Sequence, residues 1–305
     1  MNLLQDKVIL VTGAGRGVGR DIALCAARNG AKVIVNDIGA SLTGEGTDSL
    51  HAQEVVDLIR SEGGEALISG DSVATADGAN KMVADALSTF GRIDGAIHSA
   101  GILRDQIFHR MTPDDFEAVL RVHLFGAFNV AHACAPHFRK QESGALVFMT
   151  STAGLIGSFG QANYAAAKMG IVGLSRGISF DMARFNVRSN CIAPHAFSRM
   201  IEAVPGRSPE EQEREMEKRR TKTRGDQIAP LAAYLCSEAA SAITGQIFGA
   251  RGNEVYLYNQ SRPIRTLHRE DGWTVEKLAS TLPGAWSSAF TPPERTKDVI
   301  SWDPI

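Results

Sequence analysis

The sequence predicts an α/β fold, a doubly wound parallel sheet with helices on both faces. Three observations carry that reading. Short β-branched runs alternate with longer segments of helical periodicity over most of the chain. Glycines crowd the point where the first strand should turn into the first helix. Residues 145–151 (ALVFMTS) are apolar almost throughout, as expected of a strand covered on both faces.

The elements follow in order. Residues 7–12 (KVILVT) read as the first strand, and 17–29 as a helix that opens among glycines. Residues 32–37 (KVIVND) form a second strand. The stretch 49–61 sets Val55, Val56 and Ile59 on one helical face. Residues 65–69 are a short third strand, 77–90 a helix and 93–100 a fourth strand. Thr112 is a good N-cap and Pro113 suits the first helical turn, so a long helix is expected over 113–138. The strand at 145–151 is followed by a long helix over 162–184, a strand at 187–193, a helix at 228–237 and a last strand at 246–249.

Two regions break the rhythm. Residues 199–224 hold a dense run of mixed charge; from Arg207 to Arg224 it has seven basic and five acidic residues. A solvated helix is the simplest expectation there. The final segment carries all three tryptophans (Trp273, Trp286, Trp302) and five of the eleven prolines. Residues 1–250 are therefore expected to form the α/β domain. Residues 251–305 are expected to be an irregular extension packed on it or on a neighbouring subunit.

Composition excludes several classes of function. The chain has 305 residues, 44% hydrophobic and 22% charged, with a formal net charge of −2 and a pI near 6.5. That is ordinary for a globular protein and provides no basic field for nucleic acid. Apolar stretches are interrupted short of the ~20 residues of a membrane span. The four cysteines (Cys25, Cys134, Cys191, Cys236) are far apart, form no metal-type pair and read as small core residues. Few residues precede the first strand, and the end, Asp303-Pro304-Ile305, is not a Ser-Lys-Leu address, so a cytoplasmic protein without a metal is expected.

The chemistry starts at Thr12-Gly13-Ala14-Gly15-Arg16-Gly17-Val18-Gly19. Glycines let the backbone turn sharply after a strand and approach a pyrophosphate. The following helix then presents free N–H groups to that anion. Asp37 closes the second strand, where it can accept both hydroxyls of an adenosine ribose and repel a 2′-phosphate. Arg16 is a counter-signal, because it could reach a 2′-phosphate. The carboxylate is expected to prevail, giving NAD rather than NADP.

Tyr164 and Lys168 share a helical face. A tyrosine is a poor base at neutral pH. A nearby ammonium and the positive ring of an oxidised nicotinamide would lower its pKa, as acid–base catalysis on an alcohol requires. Ser151, at the end of the buried strand, would emerge at the edge of the sheet where ligands bind.

In order and spacing, TGAGRGVG, His98-Ser99-Ala100-Gly101, Ser151, Tyr164-Ala-Ala-Ala-Lys168 and the Pro194 turn resemble the short-chain dehydrogenase/reductase family. The resemblance covers about residues 5–250. It implies a one-domain Rossmann fold, hydride transfer, Tyr164 as acid/base and Lys168 on the nicotinamide ribose. It also implies Ser151 on the substrate oxygen, Asp71 and Ser72 near the adenine, and Ser99, Ala100, Gly101 and Pro194 along the cofactor. Where the family usually has an asparagine that anchors a water relay, this chain has His123. His195 reads as a packing variant. VNDIG at 35–39 with its long insert through Gly46, AGILRD, VHLFGAF, GQANYAAAK and IAPHAFSRM look like the (3R)-hydroxyacyl-CoA dehydrogenase domain of peroxisomal multifunctional enzyme type 2.

That likeness implies a fatty acyl-CoA or steroid side-chain CoA substrate. Arg199, Arg219, Arg220 and Arg224 would face the CoA phosphates. Leu103, Phe108, Leu155, Ile156, Phe159, Phe197 and Met200 would line an apolar pocket. Family members pair through the helices that here carry 113–138 and Tyr164, so a homodimer or homotetramer is expected. Alternatives remain: a hydroxysteroid dehydrogenase on a free sterol, a 3-oxoacyl-acyl-carrier-protein reductase, or a non-catalytic nucleotide-binding scaffold.

Overall fold

A computed structural model describes residues 2–196, 217 and 221–304. Eight strands form one sheet in the order β3-β2-β1-β4-β5-β6-β7-β8. These are β1 Val8–Thr12, β2 Lys32–Asn36, β3 Ala66–Ser69, β4 Gly95–His98, β5 Gly144–Met149, β6 Val187–His195, β7 Ile247–Arg251 and β8 Glu254–Leu257. The first seven run parallel; β8 turns back antiparallel on β7.

Strand alternation explains the double winding. Ile9 and Val11 of β1 point into one core, with α1 (Gly17–Arg28) and α2 (Leu50–Ser61). Val8 and Leu10 point into the other, with α3 (Ala76–Phe90) and the helices described next. Every residue of β1 and β5 is buried, which accounts for their uninterrupted apolar sequences. Each large side chain fully buried there contributes roughly 1.5–3 kcal/mol.

The long helix expected from Pro113 starts as foreseen. Thr112 accepts from the Asp115 N–H, and the Asp115 carboxylate accepts from the Thr112 N–H, a reciprocal cap. It is not one regular helix, however. α4 (Pro113–Leu120) passes through a wide π-turn, Arg121–Phe125, into α5 (Gly126–Gln141). Such turns insert one extra residue and gather at functional sites. By length and composition Pro113–Gln141 could cross a membrane, but its apolar face, including Val130, Cys134 and Phe138, is buried in the second core.

β5 ends in α6 (Thr152–Leu155), and α7 (Ala162–Asp181) follows. The helix Ala229–Cys236 completes the first core. The sequence reading has no counterpart to β8, a short edge strand with alternating burial. The sheet thus continues past residue 250. The last residues of the chain are tied to its final hairpin. Arg251 donates to the Trp302 carbonyl at 2.9 Å and lies over the indole ring, while Trp302 Nε1 donates to Glu254. All four cysteines are unpaired thiols, three of them buried.

Candidate active site

The order of the strands reverses at β1, which lies between β2 and β4. The loops leaving their carboxyl ends separate there and open a crevice, the usual ligand position in such sheets. A cleft of about 790 Å³ occupies it. Its lining includes Gly13, Arg16, Gly17, Val18, Gly19, Asp37, Asp71, Ser72, Ser99, Ala100, Gly101, His123, Ser151, Tyr164, Lys168 and Pro194. The fold therefore brings together every side chain that the sequence placed on the cofactor or at the reacting centre.

The glycine-rich floor is built by backbone packing. A Cβ on Gly13 would lie 2.7 Å from the Ala100 Cα. One on Gly19 would lie 2.1 Å from the Gly13 carbonyl oxygen. Thr12 Oγ1 locks the facing loop by accepting from the N–H groups of Ser99 (3.2 Å) and Ala100 (3.3 Å). His98 Nδ1 lies 3.0 Å from the same hydroxyl. With Thr12 already accepting twice, its proton goes to His98 Nδ1. Burial holds the His98 imidazole down at about 3, so it stays neutral.

At the other end, Asp37 Oδ2 accepts from the Gly15 N–H (2.9 Å) and Oδ1 from the Gly39 N–H (2.7 Å). A Cβ on Gly15 would sit 2.9 Å from that carboxylate and push it aside. Arg16 is turned away and donates to the Ala40 carbonyl at 2.9 Å. These features fit a nicotinamide dinucleotide: the closely packed Gly13–Gly19 backbone would receive its pyrophosphate, the Asp37 carboxylate would meet its adenosine, and Tyr164 would face its reacting end.

Ser151 follows β5 and caps α6 by accepting from the Ala153 N–H at 3.1 Å. α7 brings in Tyr164 and Lys168 one turn apart. The buried Asn163 fixes its first turn by donating to the carbonyls of Arg104 (2.9 Å) and Asp115 (3.2 Å). Its side-chain oxygen also accepts from the Tyr164 N–H at 2.7 Å. Lys168 is 3% exposed, donates to the Met149 carbonyl at 2.7 Å, and lies 5.4 Å from the centre of the Tyr164 ring.

Burial pushes Tyr164 up to about 12, against a lowering hydrogen bond with Ser151. Burial also draws Lys168 down to about 7. Desolvation is the largest cause of both shifts.

A prediction follows for Lys168→Met. The folded pKa of Lys168 lies below its ordinary 10.5, so burying the charge destabilises the protein fully below pH 7. The penalty shrinks as pH rises from 7 towards 10.5. The variant should melt about 2–4 °C higher near neutral pH for each kcal/mol relieved. The gain should fade by about pH 10. Calorimetry at both pH values checks this, and a gain independent of pH would refute it.

His123 stands in the π-turn and is 1% exposed. Its Nε2 lies 3.1 Å from the Ile102 N–H and 2.9 Å from the Ile102 carbonyl, so one ring nitrogen is fixed by the main chain. The ring stands edge-on to Tyr164 with centroids 5.1 Å apart. A Cβ on Gly101 would lie 2.3 Å from it. Among the described residues no hydrogen bond joins it to Tyr164 or Lys168.

The expected apolar pocket is met only in part. Leu103 lines the cleft, whereas Phe108 and Phe159 are three-quarters exposed and Leu155 packs against the second core. Phe197, Met200, Arg199, Arg219 and Arg220 lie outside the described residues. Arg224 is already paired with Asp226 at 2.9 Å. The sequence reading gave no role of their own to Gly15, Thr12, Asn163 and the side chain of His98. The asparagine just before the Tyr164 motif and the threonine just before the glycine run were the available signals.

Comparisons with known proteins fit this geometry. A family model described as Enoyl-(Acyl carrier protein) reductase matches residues 13–252. The chain is 44% identical over 257 residues to a short-chain type dehydrogenase/reductase of Mycobacterium tuberculosis, covering 84% of this chain and 86% of the relative. It is 43% identical over 235 residues to peroxisomal multifunctional enzyme type 2 of Mus musculus, covering 77% of this chain but only 30% of that longer protein. Among solved structures, a short chain dehydrogenase from Mycobacterium avium aligns with a TM-score of 0.82 at 32% identity, over 96% of this chain and 98% of the other. A 7α-hydroxysteroid dehydrogenase complexed with NADH and 7-oxo glycochenodeoxycholic acid aligns with a TM-score of 0.72 at 31% identity, over 83% of this chain and 96% of the other.

Proposed function

Because the chain belongs to the short-chain dehydrogenase/reductase family, we propose that it oxidises (3R)-hydroxyacyl-CoA thioesters to 3-oxoacyl-CoA thioesters with NAD, in the cytoplasm. The observation that carries the chemistry is the Ser151–Tyr164 pair above the buried Lys168, at the carboxyl edge of β5 in the cleft. The likeness to the multifunctional enzyme and the motifs shared with its dehydrogenase domain support the acyl-CoA substrate.

When bound, the nicotinamide ring supplies the hydride acceptor. The chain's own residues handle the proton. Ser151 holds the C3 oxygen, and the Tyr164 phenolate takes the hydroxyl proton. The Lys168 ammonium, held by the Met149 carbonyl, stabilises that phenolate. His123 supports the Tyr164 ring from its edge and acts as a positioning residue.

Asp37 supports NAD over NADP, because its carboxylate is fixed between the Gly15 and Gly39 N–H groups while Arg16 is engaged elsewhere. A Cβ added on Gly173 or Gly177 of α7 would meet nothing within 4 Å outside its own helix, and Phe125, Phe128 and Met169 are about half exposed. This face suits a second copy in a homodimer or homotetramer.

The test is the absorbance of NADH formed from 3R- and 3S-hydroxyacyl-CoA thioesters and from a free hydroxysteroid. The expected result is turnover of the 3R thioester with NAD favoured over NADP, and a narrower cofactor gap in Asp37→Ala. The solved hydroxysteroid dehydrogenase favours a second reading. Faster turnover of the free steroid than of any thioester would establish it instead.

A further inference from the structure

Residues 38–49, between β2 and α2, form a closed loop over the cleft. The Asp48 N–H donates to the Ile38 carbonyl at 3.0 Å and seals its base. Within it, the Ser41 N–H donates to the Glu45 carbonyl at 2.8 Å and the Glu45 N–H to Ser41 Oγ at 3.0 Å. Compact loops of this kind are frequently functional. Its tip is held from across the cleft. The Leu103 N–H donates to the Leu42 carbonyl at 3.0 Å, and Arg104 Nε donates to the Thr43 carbonyl at 3.1 Å. Gly44 rests against the Ile102 side chain.

The sheet order gives these contacts their meaning. β2 and β4 lie on opposite sides of β1. A segment rooted at the end of β2 that touches the loop after β4 must pass over the end of β1, where the glycine-rich floor lies. Floor and roof line one cleft, with Gly13 and Gly17 on one side and Ala40, Leu42 and Gly44 on the other. Arg16 ties floor to roof through the Ala40 carbonyl.

We propose that this strap closes a ring of chain around the pyrophosphate of the bound dinucleotide, and that the cofactor enters and leaves when the clasp at Leu42 and Thr43 opens. The proposal rests on the dinucleotide reading above. The strap is suited to opening. Residues 43–49 are exposed, and hydrogen bonds to its carbonyls, rather than a buried apolar face, hold it down. Arg104 reaches the tip with a charged donor. Its own carbonyl receives the Asn163 side chain, so the clasp is joined to the start of the helix that carries Tyr164. Arg104 is thus a positioning residue that acts on the cofactor through the strap.

Gating and simple contact give different kinetics. A residue that only adds a contact slows release alone. A gate slows both entry and release, so weakening it speeds both and changes Kd less than either rate. The experiment is stopped-flow NADH fluorescence on the full chain, comparing the native protein with Arg104→Met, which keeps the stem and loses the donor. A second variant, in which two glycines replace residues 41–46, serves if Arg104→Met fails to fold. Association and release are both expected to rise, by about 10-fold for loss of one charge-assisted bond. Faster release with unchanged association, or no change in either rate, would overturn the strap. Absence of any NADH binding by the native protein would overturn the dinucleotide reading instead.

Discussion

Tyr164→Phe is expected to lower kcat by about 10²–10⁴-fold, the usual contribution of a positioned acid–base group. NADH affinity should stay nearly constant, because only the transition state needs the phenolic oxygen. The substitution is close to isosteric. Phe keeps the ring that lies 5.4 Å from the Lys168 ammonium and edge-on to His123 at 5.1 Å. What it removes is the hydroxyl that meets Ser151. Burial pushes that hydroxyl up to about 12, so it holds its proton. The expected signature is therefore a loss in kcat with an unaltered NADH titration. Turnover within a factor of a few of native would remove Tyr164 from the mechanism.

Gly19→Ala should damage the cofactor site most. The added Cβ would lie 2.1 Å from the Gly13 carbonyl oxygen, which is backbone and cannot rotate aside. Gly13 cannot retreat either, because it has a φ of 65° and lies against the Ala100 backbone. A strained backbone of this kind costs about 2–3 kcal/mol, or ~30–150-fold in NADH affinity. Gly17→Ala provides the internal comparison. Gly17 has a φ of 55° but nothing within 4 Å of its would-be Cβ. It carries the conformational cost alone, about 1–2 kcal/mol. Isothermal titration with NADH, alongside circular dichroism to confirm folding, checks both. Equal losses at the two positions would mean that close packing is not what Gly19 provides.

The sequence by itself determined what periodicity and local chemistry can specify. β1 and β5 were legible because a strand buried on both faces has no polar alternation to obscure it. The start of α4 was legible because Thr112 and Asp115 cap it locally. Much of the site was legible because the glycine run, Asp37, Asp71, Ser72, Ser99, Ala100, Gly101, Ser151 and Pro194 end or closely follow strands, where spacing alone predicts a shared edge.

What depended on contacts between distant segments was decided only by the tertiary structure. The π-turn that carries His123 interrupts a helix whose pattern reads as continuous, and the ring's place is fixed by Ile102 and Gly101 from another loop. The length of the insert after Asp37 was visible, but its passage over β1 follows from the sheet order β2-β1-β4, which spacing does not encode. The same holds for the electrostatics. A tyrosine and a lysine four residues apart suggest mutual activation, yet their pKa directions are set by how completely the surrounding strands and helices exclude water, and burial is a property of the packed fold.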